Sequence, residues 1–509
     1  MEVFGNLLLG FANNFRGINL IYMIGGVMIG IILGAIPGLT CGTAIALIIP
    51  MTYYMNTASA MVLLLAIFVG GIYGGSISSI LLGTPGTPAS AATAMDGYPM
   101  AKQGKSGKAL DAALISSAIG TIFSAIILIF FTQPLARLAM MFGAKEYTIL
   151  ILLALSIVGS ICGKSLARGL LSAFLGLWFS TIGLDPLTYA SRYSFGNSYL
   201  LGGFEMVVVM IGLLAVSELF VQVEQLYRKT KENQHGSLLP PPTCKDDTKF
   251  TLTDQKRCAK TTLRSCVIGC IVGILPAMGS AVASYMSYDY AKRGSKDPNS
   301  FGRGNVEGVV ASEAANNAVC AAAMIPLLSF GIPGDATTAM LIGVFIMQGF
   351  YPGPTLFANQ PLLIYTIYAA FIVAAIVMVI EMKLAMPLFI KACQAKMNVI
   401  IPCVVTACIV GSYVSRGNRM DPLVMVFFAL IGWACGKFGF PATPMLVGYI
   451  LGAQFETYLR QALMSGGKAG FTIFFSSTIC WVLWILLALS IFSIVRSKKR
   501  SKMMQMSVE

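Results

Sequence analysis

The segment LLLAIFVGGIYGGSISSILL, residues Leu63–Leu82, decides the fold because it holds 20 consecutive residues without one charge. At a rise of about 1.5 Å per residue, a helix of this length spans the hydrocarbon core of a bilayer. Similar stretches recur to the end of the 509-residue chain, of which 56% is hydrophobic and only 11% is charged. Soluble proteins average about 25% charged residues. We therefore predict an all-α polytopic membrane protein with about 12 membrane-embedded segments.

The net charge of +14 lies mainly in short polar stretches, without the interleaved aromatic residues of a nucleic-acid surface. Five basic residues within Arg496–Lys502 follow an apolar run, and nine occur in Arg228–Arg264. Cytoplasmic loops of membrane proteins carry such excesses of Lys and Arg. These stretches predict a first transmembrane repeat (1–227), a cytoplasmic hydrophilic linker (228–264), a second transmembrane repeat (265–495) and a basic cytoplasmic tail (496–509).

The two halves begin alike. GIILGAIPG (30–38) and GCIVGILPA (269–277) share two glycines and a proline at equivalent positions. A second pair, GTPGTPASAATAM (83–95) and GIPGDATTAM (331–340), follows in the same order and shares GxPG and TAM. Two matches in one order indicate a duplication. Because proline and clustered glycine break helices, the interruptions predict broken helices or re-entrant hairpins, which at membrane depth line a cavity or lie inside protein.

Corresponding loops of the two halves carry opposite charge patterns. Lys102–Lys108 contains three lysines after the first GxPG motif, whereas Ile346–Pro361 contains no charge. Between the paired motifs, Met51–Ala60 is uncharged and Lys292–Arg303 contains four basic residues. The positive-inside rule places such loops on opposite sides, so we predict two inverted-topology repeats. Because linker and tail are both predicted to be cytoplasmic, one half must contain an unmatched terminal span or a re-entrant segment.

Three motifs, GAIPG (34–38), YGGSISSILLGTPGTPASAATAMDGYPMAKQGKSGKAL (73–110) and EAANNA with GIPGDATTAM (within 313–340), closely resemble the large membrane subunit of tripartite tricarboxylate transporters, the TctA family. The resemblance covers nearly the whole chain. It implies a multi-pass permease of the bacterial inner membrane, which works with a small four-helix membrane subunit (TctB-like) and a periplasmic solute-binding protein (TctC-like). It also implies carboxylate import driven by a sodium or proton gradient, and the chain has no GxxxxGK[ST] phosphate loop for ATP.

A carboxylate inside the bilayer needs hydrogen-bond donors, yet the central segments contain no Lys or Arg that would supply them. Helices that begin in mid-membrane offer unpaired N–H groups and about half a positive charge at their N-termini. We predict that GTPGTP and GIPGD start such half-helices. The alternative is that these small residues only permit close helix packing. The predicted substrate contacts are Gly83, Thr84, Pro85, Gly86, Thr87, Ser90, Asn316, Asn317, Gly331, Pro333 and Gly334.

Two acidic residues are the main candidates for cation coupling. Asp335 stands where Thr87 stands in the first loop, and it either caps the half-helix or binds a proton or sodium ion. Glu313 shares a helix face with two asparagines at i+3 and i+4, whose oxygens suit sodium; a polar contact between helices is the alternative. Carbonyl oxygens freed at the first pair of breaks add Gly34, Pro37, Gly273 and Pro276. Apart from Na⁺ or a proton at these residues, we expect no metal, no cofactor and no catalytic residue.

These features predict alternating access, with the anion and its cations bound between the two GxPG loops. An anion channel would share the helix N-termini but would not need Glu313 and Asp335 beside the site. An export carrier for organic acids is the other alternative. An intramembrane enzyme would need a catalytic group such as a Ser/His pair, and the single histidine, His235, lies in the polar linker.

Overall fold

The computed structural model describes residues 2–36, 39–161, 166–232, 249–275, 279–393 and 397–506. Nearly all of this part of the chain is helical, and its strands are limited to the antiparallel pair β1 (Gly183–Leu184) and β2 (Ser191–Arg192). The prediction of an all-α membrane protein is confirmed. The α-helices are α1 (Glu2–Asn14), α2 (Gly17–Ala35), α3 (Cys41–Thr52), α4 (Thr57–Leu82), α5 (Ser90–Lys102), α6 (Ser106–Ala139), α7 (Ala144–Ile161), α8 (Leu166–Ser180), α9 (Ser198–Leu201), α10 (Met206–Met210), α11 (Ser217–Glu232), α12 (Leu252–Ile274), α13 (Gly279–Gly294), α14 (Val306–Ala322), α15 (Met324–Phe330), α16 (Ala336–Met347), α17 (Pro354–Asn359), α18 (Pro361–Cys393), α19 (Met397–Val414), α20 (Asp421–Lys437), α21 (Ala442–Gly466) and α22 (Thr478–Met506), with a π-helix at Ile211–Val216 and 3₁₀ segments at Pro298–Ser300 and Gly467–Phe475.

Six helical segments of the described chain are long and apolar enough to cross a bilayer: Gly17–Ala35, Thr57–Leu82, Ser106–Ala139, Met206–Glu224, Val306–Phe330 and Pro361–Met386. Four shorter apolar helices accompany them, at Cys41–Thr52, Ala336–Met347, Ile401–Val414 and Thr478–Phe492. Length and composition therefore make the chain a multi-pass membrane protein.

Helix α4, which contains Leu63–Leu82, lies at the centre of the molecule. Its N-cap Asn56 accepts a hydrogen bond from the backbone N–H of Ser59 at 2.9 Å. It ends at Gly83, whose φ of 66° is left-handed and favours glycine. Its most apolar window is wholly buried. Because a helix that is apolar on every face needs protein or lipid on every face, α4 packs inside the protein and not against lipid.

The order of helices in the first half recurs in the second. The series α2, α3, α4, α5, α6 corresponds to α12, α13, α14 with α15, α16 and α18. Pro37 and Pro276, predicted between the first two members of each series, lie outside the described residues. Within the described ranges, α7, α8 and α10–α11 follow the first series, whereas α19, α20, α21 and α22 follow the second. The described parts of the two halves therefore differ in the helices that follow the corresponding series.

The last helix of each series packs against helices of the other half. Helix α6 packs along α12 and α14 of the second half, and α18 packs along α2 and α4 of the first. Glycine permits the close approach, because a Cβ at Gly120 of α6 would overlap the carbonyl oxygen of Ala314 of α14. The main hydrophobic core accordingly contains residues from both halves.

Helices extend into both basic stretches. Helix α11 ends at Glu232 and α12 begins at Leu252, where Thr251 and Asp254 form a capping box. Phe250 and Cys258 are buried, so the last part of the hydrophilic stretch packs against the apolar helices. At the C-terminus, α22 continues through the basic residues to Met506.

Candidate functional site

The N-termini of four helices of the corresponding series, together with Thr443 in the first turn of α21, meet at one cavity of about 530 Å³, which we call the central cavity. Helices α3 and α5 come from the first half, and α13 and α16 come from the second. Each N-terminus contributes about half a positive charge and unpaired backbone N–H groups. The cavity is large enough for a small organic ligand. Its lining from these N-termini consists of Thr40, Cys41 and Gly42, of Thr87, Pro88 and Ala89, of Gly279, Ser280 and Ala281, and of Asp335, Ala336 and Thr337.

The first GxPG loop turns the chain from α4 into α5. After the left-handed Gly83, the N–H of Gly86 donates to the carbonyl oxygen of Gly75 at 3.3 Å, which folds the loop back against α4. The backbone N–H of Ser90 donates to Thr87 Oγ1 at 3.2 Å, and the N–H of Thr87 donates to Ser90 Oγ at 3.1 Å. This reciprocal pair holds the turn Thr87–Ser90 that leads into α5, whose N-cap residue Ala89 has no side-chain cap of its own.

The second GxPG loop repeats this geometry between α15 and α16. Gly331 ends α15 with a φ of 71°. The N–H of Thr338 donates to Asp335 Oδ1 at 2.7 Å, and the N–H of Asp335 donates to Thr338 Oγ1 at 2.8 Å. Gly334 lies against Ala323, where a Cβ would overlap the α15 side of the hairpin. Asp335 therefore makes the cap that its position predicts, and its side chain also lines the central cavity.

Among the described residues that line the central cavity, the charged groups are carboxylates, and none is Lys or Arg. One is Asp335 and the other is Glu218, in the first turn of α11. Sequence reasoning missed Glu218, although an acidic residue that follows the apolar run Met206–Ser217 was a usable signal. The cavity thus offers backbone N–H groups to an anion and two carboxylates to a cation.

Glu313 lies in a separate polar cluster inside the helices. Its Oε1 accepts hydrogen bonds from Ser76 Oγ, at 2.6 Å, and from Thr93 Oγ1, and its Oε2 accepts one from Ser117 Oγ at 2.9 Å. Glu313 is fully buried, and it forms no ion pair with any described residue. A buried carboxylate without a cationic partner is costly unless it takes up a proton or a metal cation. The cluster joins α14 to α4, α5 and α6.

The two asparagines beside Glu313 contain unpartnered atoms. Asn317 Nδ2 donates to Ser117 Oγ at 2.7 Å, but Asn317 Oδ1 has no hydrogen-bond partner within the described structure. Asn316 is fully buried, and neither its Oδ1 nor its Nδ2 has a partner there. Buried polar atoms are nearly always satisfied, by water or an ion where protein does not do so. These oxygens are therefore suitable ligands for a small cation.

The structure brings some predicted residues together and separates others. Thr87, Pro333 and Asp335 line the central cavity, and Ser90 lies directly behind Thr87. Thr84 and Pro85 are exposed and do not line it. Outside its lining are also Gly83, Gly86, Gly331, Gly334, Glu313, Asn316 and Asn317.

Gly34 and Gly273 have a packing role that needs no ligand. A Cβ at Gly34 would overlap the carbonyl oxygen of Gly71, and a Cβ at Gly273 would lie 2.8 Å from the Cβ of Ala322. Each glycine therefore lets the first helix of its series approach the third. Neither lines the central cavity.

Comparison with known proteins identifies a family and two relatives of this chain. The sequence model of the "Tripartite tricarboxylate transporter TctA family" matches residues 20–447, which include the whole lining of the central cavity and the Glu313 cluster. A protein of Agrobacterium vitis described as "Uncharacterized 52.8 kDa protein in TAR-I ttuC' 3'region" is 32% identical over 465 residues, which are 91% of each chain. Another protein of that organism, "Uncharacterized protein in TAR-II ttuC' 3'region", is 34% identical over 212 residues, 42% of this chain and 87% of its own. No solved structure matches the chain.

Proposed function

The chain belongs to the Tripartite tricarboxylate transporter TctA family, and from this premise we propose that it is the permease subunit of a secondary transporter that imports a tricarboxylate or a related carboxylate anion. The observation that carries the proposal is the convergence of four helix N-termini, two from each half, on the central cavity. Their backbone N–H groups and dipoles would bind carboxylate groups without a basic side chain. A carboxylate anion would therefore bind in the central cavity, between the two halves.

Cation coupling follows from the carboxylates in and near this cavity. Asp335 and Glu218 would repel a bound anion unless a proton or sodium ion accompanies it, and Glu313 supplies a further buried acceptor. An inside-negative membrane potential opposes an entering anion by about 2.3 kcal/mol per charge per 100 mV. If the co-transported cations carry more charge than the anion, the membrane potential favours entry instead of opposing it. The transporter is accordingly a symporter driven by a sodium or proton gradient.

The repeated architecture supports alternating access. The two halves present corresponding GxPG loops to one cavity, and such paired broken helices are typical of transporters in which one unit moves against another. By family membership, a small membrane subunit and a periplasmic solute-binding protein would complete the system in the bacterial inner membrane. The basic ends of the linker and tail favour a cytoplasmic C-terminus.

Uptake of labelled carboxylates into proteoliposomes tests the proposal. The vesicles contain this chain with the small membrane subunit, and the solute-binding protein is added outside. Inward sodium and proton gradients are imposed separately and then collapsed with ionophores. We expect saturable uptake that requires the binding protein and one of the two gradients. Uptake that persists without any gradient contradicts the coupling, and gradient-independent uptake that never saturates indicates a channel.

A further inference from the structure

A second polar cavity, of about 850 Å³, lies at the far end of α5 from Thr87. Five basic residues line it, and we call it the basic cavity. They come from three separate segments: Lys105 and Lys108 at the start of α6, Arg257 in α12, and Lys296 and Arg303 in the loop before α14. The carboxylates in its lining are Asp297 and Glu307.

The carboxylates of the basic cavity already accept hydrogen bonds from neighbouring groups. Glu307 accepts a hydrogen bond from Thr261 Oγ1, and Asp297 Oδ1 accepts one from the N–H of Asn299 at 3.2 Å. Lys108 pairs with Asp254 at 2.8 Å. Within the described ranges, Arg257, Lys296 and Arg303 form no ion pair. Because five basic residues stand against three carboxylates, Asp297, Glu307 and Asp254, the cavity has an excess of positive charge.

The positive-inside rule explains why these segments are basic, but it does not explain why three of them meet around one cavity. Like charges that share a cavity repel one another, and a bound anion removes that cost. The wall also carries neutral hydrogen-bonding groups from Ser295, Asn299 and Ser300. Convergent cations with hydroxyl and amide groups are the chemistry that recognises carboxylate and phosphate.

The basic cavity is tied directly to α5. Asp96, which is fully buried in α5, accepts hydrogen bonds from the N–H groups of Gly302, Gly304 and Asn305 at 2.8–2.9 Å. Gln103 Nε2, just beyond α5, donates to the carbonyl oxygen of Arg303 at 2.8 Å. The loop that carries Arg303 is thus hydrogen-bonded to α5, the helix whose other end begins at the central cavity.

We propose that the basic cavity is a second anion site, which binds a small molecule or a lipid headgroup with two or more carboxylate or phosphate charges. Arg257 in α12 and Arg303 in the loop bound to α5 both hold the anion. The bound anion stabilises the contact between that loop and the C-terminal turn of α5. The site stands on its own lining and does not depend on what the central cavity carries.

The test measures binding of inorganic pyrophosphate to the full chain in detergent by calorimetry. The Arg257→Gln/Arg303→Gln double variant should bind pyrophosphate about tenfold or more weakly, because each arginine loses a charge-assisted contact. The matched control, Lys260→Gln/Lys292→Gln, removes two exposed charges close in sequence that do not line the cavity, and it should bind as the wild type does. Circular dichroism checks both folds, and Lys296→Gln replaces the first variant if it does not fold.

A parallel arm identifies the source of the anion. The chain is placed in nanodiscs of phosphatidylcholine with or without phosphatidylglycerol, and retained lipid is measured by native mass spectrometry. Retention of phosphatidylglycerol that the arginine variant loses and the lysine variant keeps supports the site with a lipid headgroup as ligand. Pyrophosphate binding that only the arginine variant loses supports it with a soluble anion. Equal losses in both variants, or no binding of either probe, overturn the proposal, and carboxylate uptake decides the transport function separately.

Discussion

Thr87 and Asp335 line the same cavity, and each exchanges two hydrogen bonds with the residue three positions later, Thr87 with Ser90 and Asp335 with Thr338. A hydroxyl in one half thus corresponds to a carboxylate in the other. The repeats are equivalent in backbone geometry and different in charge. By our proposal, the neutral Thr87 would leave the N-terminus of α5 free to attract an anion, and the carboxylate of Asp335 would be a ligand for a cation.

Substitutions at Asp335 separate the cap from the charge. Asparagine caps helices as well as aspartate does, so Asp335→Asn should keep the thermal stability of the wild type but lose gradient-driven uptake. Asp335→Ala should lose uptake and also about 1 kcal/mol of stability, because the cap is gone. Thermal unfolding in detergent and uptake in proteoliposomes measure the two effects. Full uptake by Asp335→Asn would show that the residue is only a cap.

Glu313→Gln should uncouple transport from the ion gradient. The substitution keeps the size of the side chain but removes the charge that Ser76, Thr93 and Ser117 surround. We expect net uptake to be lost while exchange of carboxylate across the membrane persists, because Glu313 does not line the central cavity. Asp289→Asn, which neutralises an exposed carboxylate paired with Arg293, is the control. If both variants retain uptake, Glu313 has a structural role only.

Gly34→Ala tests whether the close packing of α2 against α4 requires a glycine at this position. The added methyl group would overlap the carbonyl oxygen of Gly71, so we expect a loss of about 1–3 kcal/mol of stability. Gly25→Ala, in the same helix, places its methyl group in open space and should be neutral or slightly stabilising. Thermal unfolding of the two variants side by side makes the comparison. Equal stabilities would contradict the packing role of Gly34.

The hairpin between α8 and α10 should weaken in acid. The backbone N–H of Thr188, the guanidinium of Arg460 and the N–H of Leu187 hold the pKa of Asp185 below its ordinary value. A carboxyl whose pKa is lowered in the folded state stabilises the protein above its unfolded pKa, about 3.9, and this contribution is lost as the pH falls further. Asp185→Asn should therefore lower the unfolding temperature at pH 7, and the difference should shrink toward pH 3. A difference that does not change with pH would exclude this charge effect.

The helices and the repeated breaks could be predicted because they depend on local sequence. Uncharged runs such as Leu63–Leu82 specify helix, and glycine with proline specifies where a helix stops. The start of α16 was predictable for the same reason, since aspartate after a turn is a common cap. These signals lie within a few residues of the structures that they determine.

Convergence in space could not be predicted from those signals. Thr40 and Ser280 join the central cavity because α3 and α13 are packed with their N-termini beside those of α5 and α16. Helical periodicity placed Glu313 on a face with Asn317, but it did not reveal that Ser76, Thr93 and Ser117 would enclose that face and separate it from the central cavity. Neighbours that are distant in sequence follow only from the packing of the helices.

The most direct test of the central claim is protection of the central cavity by a carboxylate. Ser280→Cys places a thiol on the half-buried first turn of α13, and Ser198→Cys places one at the exposed start of α9 as the control. Alkylation of each introduced thiol is measured in detergent by peptide mass spectrometry, which separates it from native thiols such as Cys41, across a panel of di- and tricarboxylates. The account predicts that at least one carboxylate slows alkylation of Ser280→Cys in a saturable manner and leaves Ser198→Cys unchanged. Identical rates with and without every carboxylate, or equal slowing of both thiols, would contradict it.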